Sequence, residues 1–358
     1  MSRLRVVLSF LVIGVLVFVG AGKDTKAQDL VAQSTDLLAN GDFEIEDPST
    51  HGFVWYYPNH FVALYWYRWW VDAPPSLYIP EYDDMRPGTA RWPPFSGEHA
   101  QVYFKNAPYR AGIYQVVPDL TPCVPYEFSM YARSQSNVWT DFHAKIGLDP
   151  KGTWITGGHD DNELRGWSPQ TQWSAEQKEN YVWQKLSVTA EPLGTHLTAI
   201  TYANPSGSAV YDMFWDAGSL YQRDFPDGRL PEPASWPSPD SQYINAVGQQ
   251  RVGDELQITW NTTVPASTQV WYTIEPYTVP PTATTSLTYT IYFPLISKAE
   301  RILVTALDPE PITDGHRATI LLSGLGPGDR ITFWVLSRRV ATDVCITEGK
   351  GPYEYIVD

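Results

Sequence analysis

Cysteine is almost absent from this chain: Cys123 and Cys345 are the only two in 358 residues. Two thiols cannot close a four-ligand zinc site without histidines at ligand spacing. His51 and His60 stand too far apart, and too far from Cys123, to complete one. The pair is read as two buried free thiols, with one disulfide between distant parts of the chain as the alternative in an oxidising compartment. Charge is also scarce, at 18% of residues against the usual quarter. Bases are scarcer than acids, with Lys+Arg 25 against Asp+Glu 40 and a net charge of −15. That balance argues against a nucleic-acid partner, whose phosphates need a basic footprint. Sustained helical periodicity is missing beyond the N-terminus. So are a Gly-x-Ser-x-Gly elbow, a His-Glu-x-x-His pair and a phosphate loop, which leaves catalysis without a motif.

The N-terminal apolar run, Val6 to Val19, follows Arg3 and Arg5 and leads into Gly20-Ala21-Gly22 and a polar stretch ending at Ala27. Charge, length and small-residue flank make residues 1–27 a signal peptide, with cleavage after Ala21 or Ala27. No cysteine follows the run closely, so a lipid anchor is not expected. The run is shorter than the ~20 residues a spanning helix needs, so no membrane span is expected in the mature chain; an uncleaved anchor is the alternative. The expected location is secreted, extracellular or at the cell surface. Removing Arg3, Arg5, Lys23, Lys26 and Asp24 takes the net charge from −15 to −18 (−15 − 4 + 1).

Aromatic rings are abundant, at 14% of residues, with Trp 15 and Tyr 22, alongside Pro 30. Ten of the eighteen residues from Phe53 to Trp70 are aromatic. A pyranose stacks its apolar face on such rings while its hydroxyls seek polar neighbours, here His51, Asn59, His60, Arg68, Asp72 and Glu81. The competing reading is a strand whose rings alternate, with Trp69 and Trp70 on opposite sides.

Apolar and polar residues alternate over Ala100–Phe104, Tyr126–Tyr131 and Lys185–Val188, bounded by Gly97, Pro108, Gly112, Pro118, Pro122 and Pro125. This pattern predicts strands of an antiparallel sandwich. Residues 225–240 hold five prolines in sixteen positions and read as an extended, semi-rigid linker. It divides a block at 37–224 from one at 241–358. A second biased stretch, Val279–Ser286, reads as a loop inside the later block.

The first block carries Leu38-Ala39-Asn40-Gly41-Asp42-Phe43-Glu44, then Ser96–Phe104, then Ala111-Gly112-Ile113-Tyr114-Gln115-Val116-Val117, then Leu120–Ser129, Trp183–Val188 and Phe214-Trp215-Asp216-Ala217. In that order they resemble the β-sandwich carbohydrate-binding modules of families four, nine and twenty-two. One acid of the usual tail pair is replaced by Trp215. The resemblance implies a jelly roll over 37–224. It also implies a structural calcium ion held by Glu44 and Asp216, with Asp42 and Asp212 as weaker ligands. For sugar contact it points to Trp66, Trp69, Trp70, Tyr82, Trp92, Gln115 and Trp139, with Tyr78, Tyr109, Trp154 and Trp173 also available. Gln115 has a second reading as a buried amide bonded to backbone. The acidic loop His159-Asp160-Asp161-Asn162-Glu163 is read as solvated charge, with a metal site or a glycosidase pair as alternatives.

The second block resembles a fibronectin type III domain through Leu325–Val335, with Ile331 where tyrosine is usual and Trp260 expected in the inter-sheet core. Its Gln269-Val270-Trp271-Tyr272 and His316–Ile320 strands also resemble the N-terminal sandwich of purple acid phosphatases, whose catalytic domain is absent. His316 is therefore read as a strand residue. The apolar segment Tyr289–Ser297 reads as a buried strand. The expectation for the whole is an all-β, non-catalytic protein that binds polysaccharide or cell-surface glycan. The rivals are a structural or adhesive envelope protein and a glycoside hydrolase.

Overall fold

A computed structural model describes residues 35–45, 53–56, 60–72, 76–86, 93–138, 140–155, 167–206, 209–233, 242–276 and 302–358. The signal region, Trp92, Trp139, the 159–163 acids and the 289–297 segment lie outside these residues. The described chain is all-β, with one short 3-10 turn at Pro226–Gly228.

Twelve strands build the first sandwich: β1 Phe53–Tyr56, β2 His60–Ala63, β3 Tyr67–Val71, β4 Glu81–Met85, β5 Ala100–Lys105, β6 Arg110–Val117, β7 Tyr126–Ser136, β8 Lys145–Asp149, β9 Gln172–Trp173, β10 Gln184–Ala190, β11 Leu197–Tyr202 and β12 Tyr211–Gln222. They form a seven-stranded sheet in the order β1-β2-β4-β5-β12-β7-β10 and a five-stranded sheet in the order β3-β6-β11-β8-β9. Pairing is antiparallel except where His60 of β2 meets Tyr82 of β4. The alternation predicted for β5, β7 and β10 sends Tyr103, Phe128, Met130, Leu186 and Val188 into one core with Ile113, Val117, Ile146 and Leu148 from the other sheet. A strand buried on one face needs that alternation and little else.

Eight further strands follow: β13 Ile244–Val252, β14 Glu255–Thr262, β15 Ala266–Glu275, β16 Leu303–Val304, β17 Asp308–Ile312, β18 His316–Leu321, β19 Arg330–Ala341 and β20 Val344–Ile356. One sheet runs β13-β14-β18, the other β16-β15-β19-β20, with β17 joined to β15. Trp260 lies in the core between them, as expected, with Ile258, Val270, Ile320 and Phe333. His316 sits on β18, fully buried and stacked on Trp260. Its two ring nitrogens meet the Thr262 and Thr268 hydroxyls at 2.9 and 2.6 Å, and burial lowers its pKa.

Two expectations are corrected. Cys123 and Cys345 are not free thiols: they form a disulfide, with Cα atoms 5.5 Å apart across a sequence separation of 222. The linker is not a bare spacer over its described part, because Phe225 and Leu230 are buried against Trp271 and Leu336 of the second sandwich. Prolines fix the backbone but do not keep an interspersed apolar side chain in water. Beside them, Arg338 of β19 holds Glu191 at 2.5 Å, and both groups are largely shielded. Burial raises the Glu191 carboxyl, and the Arg338 charge opposes that rise.

Replacing both cysteines by serine is expected to lower stability by about 2–5 kcal/mol, because the bond closes a very long loop in the unfolded chain. Thermal unfolding with and without reductant measures this. A midpoint indifferent to reductant would show that the bond does not hold the fold.

Candidate functional site

The outer face of the five-stranded sheet is paved with rings. Register puts Tyr67 opposite Tyr114, Trp69 opposite Gly112 and Val71 opposite Arg110 between β3 and β6. Tyr114 meets Ile200 of β11, and Ile200 meets Gly147 of β8, which meets Trp173 of β9. Two glycines make room. A Cβ at Gly112 would lie 2.6 Å from Trp69 Nε1, and one at Gly147 would lie 2.7 Å from the Trp173 ring. Both indoles therefore lie across their neighbouring strand instead of standing up from the sheet. A glycine inside a strand has this use: it admits a close approach. The Trp69 indole N–H donates to the Thr201 carbonyl at 3.1 Å and fixes the ring in place.

Trp167 completes a four-ring group, 5.2 Å from both Trp69 and Trp173 and roughly perpendicular to each; Tyr202 stands 5.7 Å from Trp173. A second group joins Tyr67, Tyr114 and Trp154, with Tyr67 and Trp154 edge to face at 5.3 Å. Trp154 is 58% exposed and Tyr67 41%. Perpendicular exposed rings present one flat face and one edge to whatever docks there. The loop after β8 carries Trp154 and Trp167. Asp149 anchors it by accepting from the amides of Lys151 (3.0 Å) and Ser168 (2.9 Å) and from the hydroxyls of Ser168 and Thr153.

Two cations share this face. Lys145 Nζ lies 5.0 Å above both the Trp173 and Tyr202 rings. Burial raises the pKa of the Tyr202 hydroxyl; Arg110 opposes that rise and Glu176 adds to it. Glu176 itself meets His143 Nδ1 at 3.2 Å, with Asp141 alongside, at the rim of the sheet.

Several residues expected to touch sugar do not reach this surface. Trp66 is buried beneath the Asn40–Phe43 turn, its indole N–H donating to Asn40 O at 3.0 Å. Trp69 is fully buried under Trp167 and Tyr202. Tyr82 crosses the core to donate to Trp69 O at 2.7 Å. The Gln115 side chain pairs with the backbone of Ala39 through both its oxygen and its nitrogen at 2.8 Å, so the buried-amide reading holds. All four need their polar atoms inside the protein, which is why none offers a free face. Trp70 is half-buried on the side of β3 opposite Trp69, under the Arg68 guanidinium at 4.9 Å. Tyr109 is core, while Trp154 and Trp173 belong to the paved face. Trp167, Tyr202, Lys145 and Arg110 are not marked as ligand contacts by the sequence, whereas Tyr67 belongs to the ring-rich run Phe53–Trp70. The in-strand glycines 112 and 147 were the available signal.

Glu44 and Asp216 are drawn to one loop. Glu44 accepts from the amides of Glu98 and His99 at 2.9 and 2.8 Å, and Asp216 from Ser96 N at 3.0 Å. Asp216 is fully buried; burial pushes its pKa up to about 7, and the Glu44 charge adds to that rise. Asp42 is exposed, and Asp212 pairs with Phe104 and Gln135 further back on β12. Both carboxylates already accept from loop amides, and among the described residues the three side chains grouped closely enough to hold a metal ion are Asp141, His143 and Glu176.

No protein-family model matches the sequence. No curated protein matches it either. Among solved structures, the enzymatically active domain of bacteriophage CBA120 tailspike protein 4 aligns at TM-score 0.33 and 10% identity, over 52% of this chain and 21% of that one. A family 61 carbohydrate-binding module solved with β-1,4-galactotriose aligns at 0.32 and 15%, over 53% of this chain and all of that one. Family 22 and catalytic modules of Clostridium thermocellum endo-1,4-β-D-xylanase 10B, solved with xylohexaose, align at 0.29 and 11%, over 44% and 26%. The chain thus spans about a fifth to a quarter of the tailspike and xylanase structures.

Two outcomes are expected. Trp69→Ala costs about 3–5 kcal/mol of stability, whereas Trp154→Ala changes it by no more than about 0.5 kcal/mol, as denaturant titration of the pair will measure. The folded Asp216 binds its proton up to about pH 7, but the unfolded group releases it near 3.8. Its contribution in chelator is therefore complete below pH 3.8 and lost as pH rises through about 7. Asp216→Asn flattens that part of the stability profile; an unchanged slope would show that Asp216 does not titrate this way.

Proposed function

We propose that this protein is a non-catalytic glycan-binding protein whose sugar stacks on the outer face of the five-stranded sheet. The observation that carries this reading is the exposed, perpendicular pair Tyr67 and Trp154 beside the half-exposed Trp173 and Tyr202. A pyranose lays its C–H face on one ring and turns its hydroxyls toward the neighbouring polar groups. A shallow, wet surface of this kind binds weakly per site. Asp149, which anchors the loop carrying Trp154 and Trp167, already holds four loop donors, which supports a structural use of that carboxylate.

The same reading includes calcium at Glu44 and Asp216, where the ion would hold the 96–99 loop. It includes secretion, to which the disulfide lends support, since such bonds persist in oxidising compartments. It also takes the second sandwich as fibronectin type III-like. Three strands, β13-β14-β18, facing β16-β15-β19-β20 around Trp260 support that assignment. One observation favours the rival envelope scaffold: Ile155 and Trp167 from the protein's own loop cover Trp69 and Ile200 in the middle of the ring face.

Depletion of the full chain by a panel of soluble and insoluble polysaccharides separates the two. Retention on a glycan, weakened about tenfold by Trp154→Ala with folding intact, is expected of a stacking site. A panel without any retention would leave the scaffold.

A further inference from the structure

The ring face carries two basic side chains that make no ion pair among the described residues, as Lys178, Lys185 and Arg317 elsewhere also do not. Arg86, Arg223, Arg251, Arg330, Arg338 and Arg339 each have a carboxylate partner. Among the described residues Lys145 has none, and its ammonium rests on the Trp173 and Tyr202 rings instead. Arg110, on the same face of the neighbouring strands, has a buried Nε with no hydrogen-bond partner. Acids outnumber bases by 40 to 25 in this sequence, so unpaired bases on one face run against its composition. A neutral pyranose needs ring faces and hydroxyl partners but no cation. A guanidinium and an ammonium beside those rings match a carboxylate or sulfate on a sugar ring, through charge-assisted hydrogen bonds.

We propose that the glycan recognised by this face is anionic, its carboxylate or sulfate held between Lys145 and Arg110 beside the Trp173 and Tyr202 rings. This rests on the glycan-binding reading above and specifies its ligand class. Glu176 is the opposing charge near Tyr202, and its contact with His143 draws it toward the rim. The position of Lys145 over two rings is one that cation–π attraction maintains without a ligand, so the ammonium is already in place when an anion arrives.

The test uses the full chain and matched polysaccharides: xylan, glucuronic-acid-substituted xylan and sulfated xylan, with neutral galactan and polygalacturonate as a second pair. Affinity electrophoresis or calorimetry at low and high salt reads each one. The charged forms are expected to bind about tenfold tighter than their neutral partners, with the gap closing in high salt. Lys145→Gln and Arg110→Gln are each expected to remove most of that gap, read as the ratio of charged to neutral affinity for the same folded variant. A preference for the uronate forms alone would identify a carboxylate ligand, and for the sulfated form alone a sulfate. Equal binding of charged and neutral forms, or a gap that both variants leave intact, would overturn the anionic assignment and leave the glycan reading standing. No binding to any of the five would overturn both.

Discussion

The Trp69 indole lies flat across Gly112 and donates to Thr201, which joins β3, β6 and β11 on the outside of a sheet. An outward-facing tryptophan usually meets water. Here it becomes the floor on which Trp167 and Tyr202 rest, and those rings in turn carry Trp173 and Lys145. Remove the ring, or fill the space at Gly112, and the layer above has nothing to stand on. The five-stranded sheet therefore has apolar material on both faces: the sandwich core inside and a thinner aromatic layer outside. Such a face is unstable in water unless its rim is polar or a ligand covers it, which makes the same interaction both a stability feature and the origin of the candidate site.

The acidic excess has a structural use as well. An all-β chain with long connections leaves many loop amides without sheet or helix partners, and these need acceptors. Asp36 accepts from Leu38 and Leu220, Asp149 from Lys151 and Ser168, Glu44 from Glu98 and His99, and Asp216 from Ser96. A carboxylate takes several donors at once and can pin a loop at two points. Lysine cannot, because its ammonium only donates. The charge balance thus follows partly from loop architecture and is not by itself a statement about partners.

The strands were readable because period-two alternation comes directly from burial on one face. Five of the six fragments carry strands, β5, β6, β7, β10 and β12, whereas Leu38–Glu44 is a turn packed on the sandwich core; Trp260 was legible as core for the same reason. The site was less legible. The dense rings of 53–70 drew attention to Trp66 and Trp69, but density does not reveal which ring finds a hydrogen-bond partner inside. Trp66 has Asn40 O and Trp69 has Thr201 O, and both are buried as a result. The exposed face is assembled by register from β3, β6, β8, β9 and β11, so Tyr67, Lys145, Trp173 and Tyr202 are neighbours only after folding. The cysteine pairing was hidden for the same reason, since the sequence gives no Cα distance across 222 positions.

The clamp between the two sandwiches bears on how such a face would work. The prolines of 225–240 alone would let the second sandwich swing. The disulfide, the shielded Arg338–Glu191 pair and the buried Phe225 and Leu230 act together against that motion. The ion pair contributes specificity more than net stability, because removing two charges from water offsets much of their attraction. The apolar contacts supply the favourable burial, and the covalent bond keeps the partners close if the ion pair opens. A weak, shallow binding face gains from this arrangement, since each degree of freedom frozen before contact is one the ligand need not freeze. A tethered pair of independent sandwiches would lose that advantage even with every ring of the site in place.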